Sequence, residues 1–310
     1  DYLVDYGISL GRKTVVVTNN DDAYLTAIAI KNSGMEVPAI IDSRRGGAGE
    51  LGELARSMGI RIETGKGISK VHGGKSVTGV AICLQSGKGT VLENIECDCV
   101  AISGGWSPVV HLWSHCGGKI IWDEKKVLFR PDIDKSPKGY DGSPFVSVLG
   151  AANGFLDMSA AITNSVETMG KLLGETGAIN GFCLSERKDA QIEAVWMMPK
   201  DAGIKLRSKA WLDFQNDVKV NDVELAAQEG FESVEHAKRY TTLGMATDQG
   251  KLSNINGLAT LAGALNETVA NVGTTTFRPP YSPISMGSVA GPARDEIFQP
   301  IRQTPMHGWH

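Results

Sequence analysis

Thr14-Val15-Val16-Val17-Thr18 is an unbroken β-branched run with no polar alternation. Such a run fits a strand covered on both faces, as in a parallel sheet. TNNDD follows, and AYLTAIAIKNSG then carries helical spacing up to a glycine stop at Gly34. PAIID (Pro38–Asp42) is a second strand, so the chain opens as a βαβ unit. ELGELARSMG (Glu50–Gly59) reads as another amphipathic helix and IRIET (Ile60–Thr64) as a third strand. Ser76–Gln85 and Gly89–Asp98 alternate around SGK and predict an antiparallel hairpin. CVAISGG (Cys99–Gly105) returns to a buried strand, FVSVLGAANG (Phe145–Gly154) reads as one more, and Met158–Glu175 as a long helix. Gly177–Arg207 is a connector with weak periodicity. Helical patterns dominate from Val220 to Asn266, with Asn221 as an N-cap and Glu224 at capping-box spacing, and a second helix opening at Ser233. RPPYSP is extended, because proline fixes its own φ and restricts the residue before it.

A chain of 310 residues is long enough for two domains. Its net charge of −4 argues against a nucleic-acid partner, whose phosphates need a basic face. The five cysteines show no disulfide-rich spacing, which points to a reducing cytoplasm. There is no signal peptide and no apolar run of about 18 residues. The first residue is Asp and TPMHGWH ends without a cap, so the chain reads as an internal piece of a longer polypeptide.

The order of elements resembles a nucleotide-binding domain of the two-dinucleotide flavoprotein type, in which a hairpin insert precedes the final parallel strand. The expected fold is therefore α/β: a partial Rossmann-like FAD/NAD(P)-binding domain over residues 1–180, a connector over 181–210, a small all-helical module over 211–291, and the start of a further domain over 292–310. A pyrophosphate-binding βα turn needs glycines for close amide approach. Here the turn is Thr18-Asn19-Asn20-Asp21-Asp22-Ala23, without glycine and with two carboxylates that repel phosphate. Asp42 stands where a ribose-binding acid would, followed by Arg44 and Arg45. Two readings stay open: a nucleotide site, or a relic in which Asn20 or Asp21 caps the helix. SGGW (Ser103–Trp106, with Gly104 and Gly105) and GAANG (Gly150, Ala151, Ala152, Asn153, Gly154) each follow an apolar run, so each is a candidate for cofactor contact at a strand's carboxyl end. The alternative is tight turns that need glycine for geometry. Asn153 stands where flavoproteins of this type often place an acid, which disfavours a flavin and suits another dinucleotide.

HLWSHC places His111 and His115 at i and i+4, a spacing that can bind zinc. No catalytic Glu or second ligand pair follows, so ordinary helix histidines beside Trp113 are the better reading. Cys97-Asp98-Cys99 reads as part of a buried strand with both thiols on one side. TTLGMATDQGK (Thr241–Lys251) is a glycine-punctuated loop whose Thr247, Gln249 and Lys251 could bond a phosphate or a flavin ring, or simply join two helices. His236, Lys238 and Arg239 read as a solvated helix face, and Arg278 in TTFRPPYSP as a packing strap or subunit contact.

TNNDDAY, SGGWSPVVHLWSHCGGK, GAANG, DFQNDV, EGFESVEHAKRYTTLGMATDQGK, TTFRPPYSP and TPMHGWH occur in this order. Together they resemble the alpha subunit of the heterotetrameric sarcosine oxidases, over nearly the whole chain. That resemblance implies the degenerate second half of a nucleotide-binding domain, a helical module, and the first residues of a folate-binding domain similar to aminomethyltransferases. It implies oxidation of sarcosine at FAD in a beta subunit, electron transfer to FMN at the alpha–beta boundary and then to oxygen, and release of the methyl carbon as formaldehyde or to tetrahydrofolate. Gamma and delta subunits complete the complex, and alpha holds NAD. Carried onto this chain, the NAD contacts fall at Ala151, Ala152, Leu156 and Met158. The helical module also resembles the iron–sulfur module of ferredoxin-like reductase partners, with Asp213, Gln215, Asp248 and Ser253 where cysteines would stand, so no thiolates remain to hold a cluster. A pyridine-nucleotide flavoprotein reductase subunit and a non-catalytic interaction subunit are the alternatives.

Overall fold

The computed structural model describes residues 2–174, 190–277, 284–293, 297 and 301–310. After a short helix α1 (Tyr2–Tyr6), strand β1 (Thr14–Thr18), helix α2 (Asp22–Asn32), strand β2 (Ile40–Asp42), helix α3 (Glu50–Ser57) and strand β3 (Ile62–Thr64) alternate. Three antiparallel strands follow, β4 (Lys66–Gly73), β5 (Val77–Leu84) and β6 (Glu93–Glu96), before β7 (Cys99–Ser103) returns to the first sheet. That sheet is parallel in the order β3-β2-β1-β7, with Val16 level with Ile40 on one side and Ala101 on the other.

Every residue of β1 is buried. The period of two sends Val16, with Ile40 of β2, toward Ala23, Tyr24 and Ala27 of α2 and Ala55 of α3. Val15, Val17 and Ile41 point the other way, onto Val80, Ile82 and Ile95 of the antiparallel sheet. Helices thus cover one face and the antiparallel insert the other. Full burial of each such aliphatic side chain is worth about 1.5–3 kcal/mol. The predicted βαβ opening and hairpin are found, the latter with Gly79 opposite Glu96. The insert has a third strand, β4, that the alternation does not reveal, because Gly67 alone of its residues is buried. The Cys97-Asp98-Cys99 expectation is corrected: Cys97 and Asp98 form the crossing from β6 to β7, and Cys99 is the first residue of β7, so the three do not share one strand. Cys97 is in the core, where burial raises its thiol pKa. Asp98 accepts hydrogen bonds from the Arg12 and Lys13 amides at 3.0 and 2.8 Å, which hold its pKa down.

The second half contains helix α4 (His111–His115), the hairpin β8 (Ile120–Asp123) and β9 (Leu128–Pro131), helix α5 (Met158–Leu173), the single turn α6 (Ile204–Arg207), the pair β10 (Trp211–Asp213) and β11 (Val218–Lys219), and helices α7 (Val220–Gln228), α8 (Val234–Thr241), α9 (Asn254–Leu265), α10 (Val269–Val272) and α11 (Met286–Ala290). Helix α5 matches its sequence signals: Asp157 accepts from the Ala160 amide at 3.0 Å, and Gly174 stops it with φ +69°. Helix α7 starts two residues earlier than an N-cap at Asn221 predicts, with Lys219 at the N-cap. Asp222, not Glu224, reaches back to the Lys219 amide at 2.8 Å, and Glu224 pairs with Arg207 instead. A second core joins Leu212 and Val218 with Val223 and Ala226 of α7, Ala237 of α8, and Leu258 and Leu261 of α9. Phe129 of β9 belongs to it, and Ile120 and Trp122 of β8 pack against it, so the β8–β9 hairpin docks on the helical half.

The expected strand Phe145–Gly154 is not formed. Residues 145–149 join no sheet among the described residues, and Gly150–Asn153 is a 3-10 turn. An apolar run becomes a strand only when a sheet edge pairs it, and Phe145 lies exposed instead. Residues 175–189, which hold the end of the predicted helix Met158–Glu175 and the start of the connector, and Arg278 with its RPPYSP segment, lie outside the described residues.

Candidate functional site

The carboxyl end of the parallel sheet is where an α/β fold of this type places its ligand. The βα turn there holds a buried charge cluster. Arg44 is 2% exposed. Its guanidinium grips Asp42 through Nε at 3.0 Å and Nη2 at 2.7 Å, and lies 2.7 Å from Asp21. The Tyr24 hydroxyl donates to Asp42 at 2.8 Å, and burial followed by that carboxylate pushes the phenol pKa well up. The Arg44 pKa is pushed up as well: burial opposes its charge, but the hydrogen bonds and charges of Asp42 and Asp21 outweigh it.

A strap from the same chain closes over this cluster. The Ala190 amide donates to Asp21 at 2.8 Å, the Asn19 amide group donates to the Glu193 carbonyl at 2.7 Å, and Arg44 Nη1 lies 3.4 Å from the Gln191 carbonyl. Gly104 and Gly105 belong here. The Gly104 carbonyl accepts from Asn19, and Gly105, at φ +105°, would bring a Cβ to 2.7 Å from Ile192. Asn20 bonds the Ser103 carbonyl. Asp21 begins α2 but makes no side-chain cap, since its carboxylate serves Arg44 and the strap. The turn therefore does not fit a pyrophosphate: carboxylates and protein carbonyls stand where phosphate oxygens would need donors.

GAANG is separate from this cluster in its partners. Gly150 donates its amide to Asn164 at 2.9 Å, and the Gly154 carbonyl accepts from Lys126 Nζ at 2.7 Å. A Cβ at Gly154 (φ +82°) would touch Arg130 and Leu128 of β9. The expectation that GAANG ends a strand of the nucleotide-binding sheet is thus corrected to a turn braced by β9 and α5. Asn153 is buried, Ala152 partly so, and Ala151, Leu156 and Met158 are exposed.

In the helical module the loop of residues 241–253 is tied to the β10–β11 turn. Buried Asp213 accepts from the amides of Gln215 (2.9 Å), Asn216 (3.1 Å) and Gly244 (2.8 Å), and Thr247 donates to Gln215 at 2.7 Å. Asp248 accepts from Gly250 and Leu252 within the loop. Three of the four positions that would carry cysteines in a cluster-binding module thus serve as hydrogen-bond acceptors, and Ser253 is buried. Asn254 fills the space between Gly244 and Gly250, both at positive φ, and donates to Thr275 at 3.1 Å.

A pocket of about 320 Å³ opens beside this loop, lined by Lys238, Arg239, Gln249, Glu235, His111 and Phe277 among others. Of the three loop residues singled out from the sequence, Gln249 lines it, Thr247 is turned to Gln215, and Lys251 is exposed. Lys238 and Arg239, on the helix face read as solvated, border this pocket, with Arg239 and His236 exposed and Lys238 half-buried. Glu235, Lys238 and Arg239 sit at i, i+3 and i+4 of α8, the spacing that gathers side chains on one side, and this was the signal available to find them. Glu235 accepts from the Thr276 amide at 2.6 Å. His111 is 6% exposed with its ring 4.2 Å from that of Phe277. Burial lowers its pKa to about 4, and the charges of Lys251 and His115 push the same way.

Residues 207–292 match the sequence profile of the Sarcosine oxidase A3 domain. The chain is 37% identical over 309 residues to sarcosine oxidase subunit alpha of Rhizobium meliloti (strain 1021), covering 99% of this chain and 30% of that protein. It is 33% identical over 327 residues to the subunit alpha of Corynebacterium sp. (strain P-1), covering 100% of this chain and 32% of that protein. The chain is related to sarcosine oxidase alpha subunits along its whole length. It spans 30–32% of the length of those two alpha subunits. The crystal structure of L-proline dehydrogenase from P. horikoshii shares the fold, with a TM-score of 0.61 at 15% identity over 92% of this chain and 51% of that one. No described helix is long and apolar enough to cross a membrane.

Proposed function

We propose that this chain is part of the alpha subunit of a heterotetrameric sarcosine oxidase, and that it scaffolds redox cofactors instead of carrying the chemistry. The observation that supports this best is 37% identity sustained over 99% of the chain. The reaction would convert sarcosine to glycine with hydrogen peroxide and formaldehyde or methylene-tetrahydrofolate, in a cytoplasmic complex with beta, gamma and delta subunits. FAD would sit in the partner subunit and tetrahydrofolate in the domain that residues 292–310 begin.

FMN would lie against the helical module, where it supplies one- and two-electron transfer. The pocket residues suit a phosphate-bearing group in charge: Lys238 and Arg239 bring positive charge, and Gln249 brings an amide donor. Thr247 and Lys251 would act on that group from outside the pocket lining. NAD does not fit the plugged βα turn. It would be held mainly by residues beyond this chain, with Ala151, Leu156 and Met158 offering exposed apolar contact and Ala152, Asn153, Gly154, Gly104 and Gly105 shaping the turns behind it.

The test uses the full alpha subunit with its companion chains. Sarcosine should reduce the bound flavin and drive oxygen uptake, while the 310-residue chain alone should show neither. Reduction by NADH or NADPH but not by sarcosine would replace this reading with a pyridine-nucleotide reductase. Full-speed amine oxidation by the isolated chain would end the scaffold idea. Arg239→Ala in the complex should lower bound FMN several-fold, and unchanged FMN content with unchanged turnover would remove this pocket from the proposal.

A further inference from the structure

Gly244, Met245 and Gln249 line the pocket beside α8 from the loop between α8 and α9. Four residues of that loop have left-handed backbone: Thr242 (φ +64°), Gly244 (φ +65°), Gln249 (φ +54°) and Gly250 (φ +72°). Thr242 and Gln249 carry a Cβ, so the conformation is costly for them and persists only where surrounding bonds impose it. Those bonds come from the β10–β11 turn. The Gly244 amide donates to Asp213 Oδ2 at 2.8 Å, the Asn216 side chain donates to the Thr242 carbonyl at 2.9 Å, and Thr247 donates to the Gln215 side chain at 2.7 Å. Asp213 is the hub, because its Oδ1 also accepts the Gln215 and Asn216 amides and so fixes the turn from which the other two bonds reach out. Gln249 folds its side-chain amide back onto the Ala246 carbonyl at 3.0 Å, so its place follows that of the loop.

Asp213 is 4% exposed and does not line the pocket, so it reaches no ligand there. Packing alone does not call for an acid at this position. The two oxygens of one carboxylate accept three amide N–H bonds, whereas a carboxamide of the same size would turn its NH2 group on one of those donors. A buried N–H left without an acceptor is expensive, and the loop would shift to find one. We propose that Asp213 is a positioning residue for this pocket: it holds Gly244, Met245 and Gln249 in the shape that receives a phosphate-bearing flavin and touches none of the flavin itself. This role rests on the reading that the pocket takes FMN, and Gln249 is the residue through which it is felt.

The test is FMN loading of the FMN-depleted complex of the full alpha subunit with its companion chains, read as the FMN concentration for half-loading, with FAD in the partner subunit as the measure of intact assembly. Asp213→Asn should raise that concentration about ten-fold and leave bound FAD unchanged. Gln249→Ala should raise it about three-fold, and the double variant should stay near ten-fold instead of the roughly thirty-fold expected of independent sites. Losses that multiply, or FMN and FAD lost together, would mark Asp213 as merely structural and overturn its assignment. Should Asp213→Asn not assemble, Asn216→Ala removes only the half-buried side chain that holds the Thr242 carbonyl, and it should cost about three-fold with the same coupling to Gln249. Weaker loading in Arg239→Ala with unchanged loading in Asp213→Asn or Asn216→Ala overturns the role of Asp213 and leaves the pocket reading standing. Unchanged loading in all of them overturns both.

Discussion

At the carboxyl end of the parallel sheet, Arg44 is 2% exposed and meets two carboxylates at 2.7 Å. On α8, Lys238 and Arg239 border a pocket of about 320 Å³. The first region lies where a dinucleotide fold binds its ligand, yet its charges are satisfied by one another and by a strap of the same chain. The second lies in a module that the Rossmann pattern does not announce, and its cations remain at a solvent-reachable surface. Charge that is buried and paired holds a structure together, and charge left at an open concavity is available to a ligand. A fold's usual binding position is therefore a weaker guide than what fills it.

The largest test of that contrast is Arg44→Leu. It leaves Asp21 and Asp42 buried without a counter-charge and should cost about 3–5 kcal/mol in urea unfolding, whereas Arg239→Ala should stay within about 0.5 kcal/mol. Equal small losses would show that the sheet-end cluster is not structural.

Next comes His111. Its folded pKa, about 4, lies below the unfolded value of 6.5. Between those values the unfolded chain takes up the proton and the folded one does not. Stability should therefore be full above about pH 6.5, fall by about 2–3 kcal/mol as pH drops toward 4, and level off below that. His111→Asn should flatten this segment of the stability–pH curve, and an unchanged slope would place its origin elsewhere.

Gly105→Ala should destabilise by about 1–3 kcal/mol, because φ of +105° strains a Cβ that also approaches Ile192. Gly104→Ala, with open space around it, should cost less. Thr247→Val, which removes the bond to Gln215, should cost about 0.5–1.5 kcal/mol, and thermal melting would detect it.

The βαβ opening was legible because Val15, Val16 and Val17 are apolar on both faces, and only a strand between two layers uses such a run. Strand β4 was not, since its residues are half-buried and its pairing is chosen by β5. The absence of glycine in Asn19–Asp22 disfavoured a phosphate site, but nothing in the order of residues said that Ala190 and Glu193, some 170 positions on, would close over it. Asp213 was read by what it lacks, a thiol, and the structure assigns its carboxylate to three backbone amides. His111 and Gln249 belong to different halves of the chain, and no spacing rule joins them at one pocket.

The sequence by itself determined the local matters: the βαβ opening, the β5–β6 hairpin and the longer helices, the lack of glycine in the first βα turn, and the ordered segments that mark the sarcosine oxidase alpha relatives. These follow from backbone preference, periodicity and side-chain chemistry, each readable within a few residues. Tertiary structure alone decided that Arg44 is locked away, that Phe145–Leu149 finds no sheet edge, and that Asp213 on the β10–β11 turn holds the loop of residues 241–253. Those outcomes depend on which surfaces meet after the chain has folded, and contacts of that range leave no periodic trace along it.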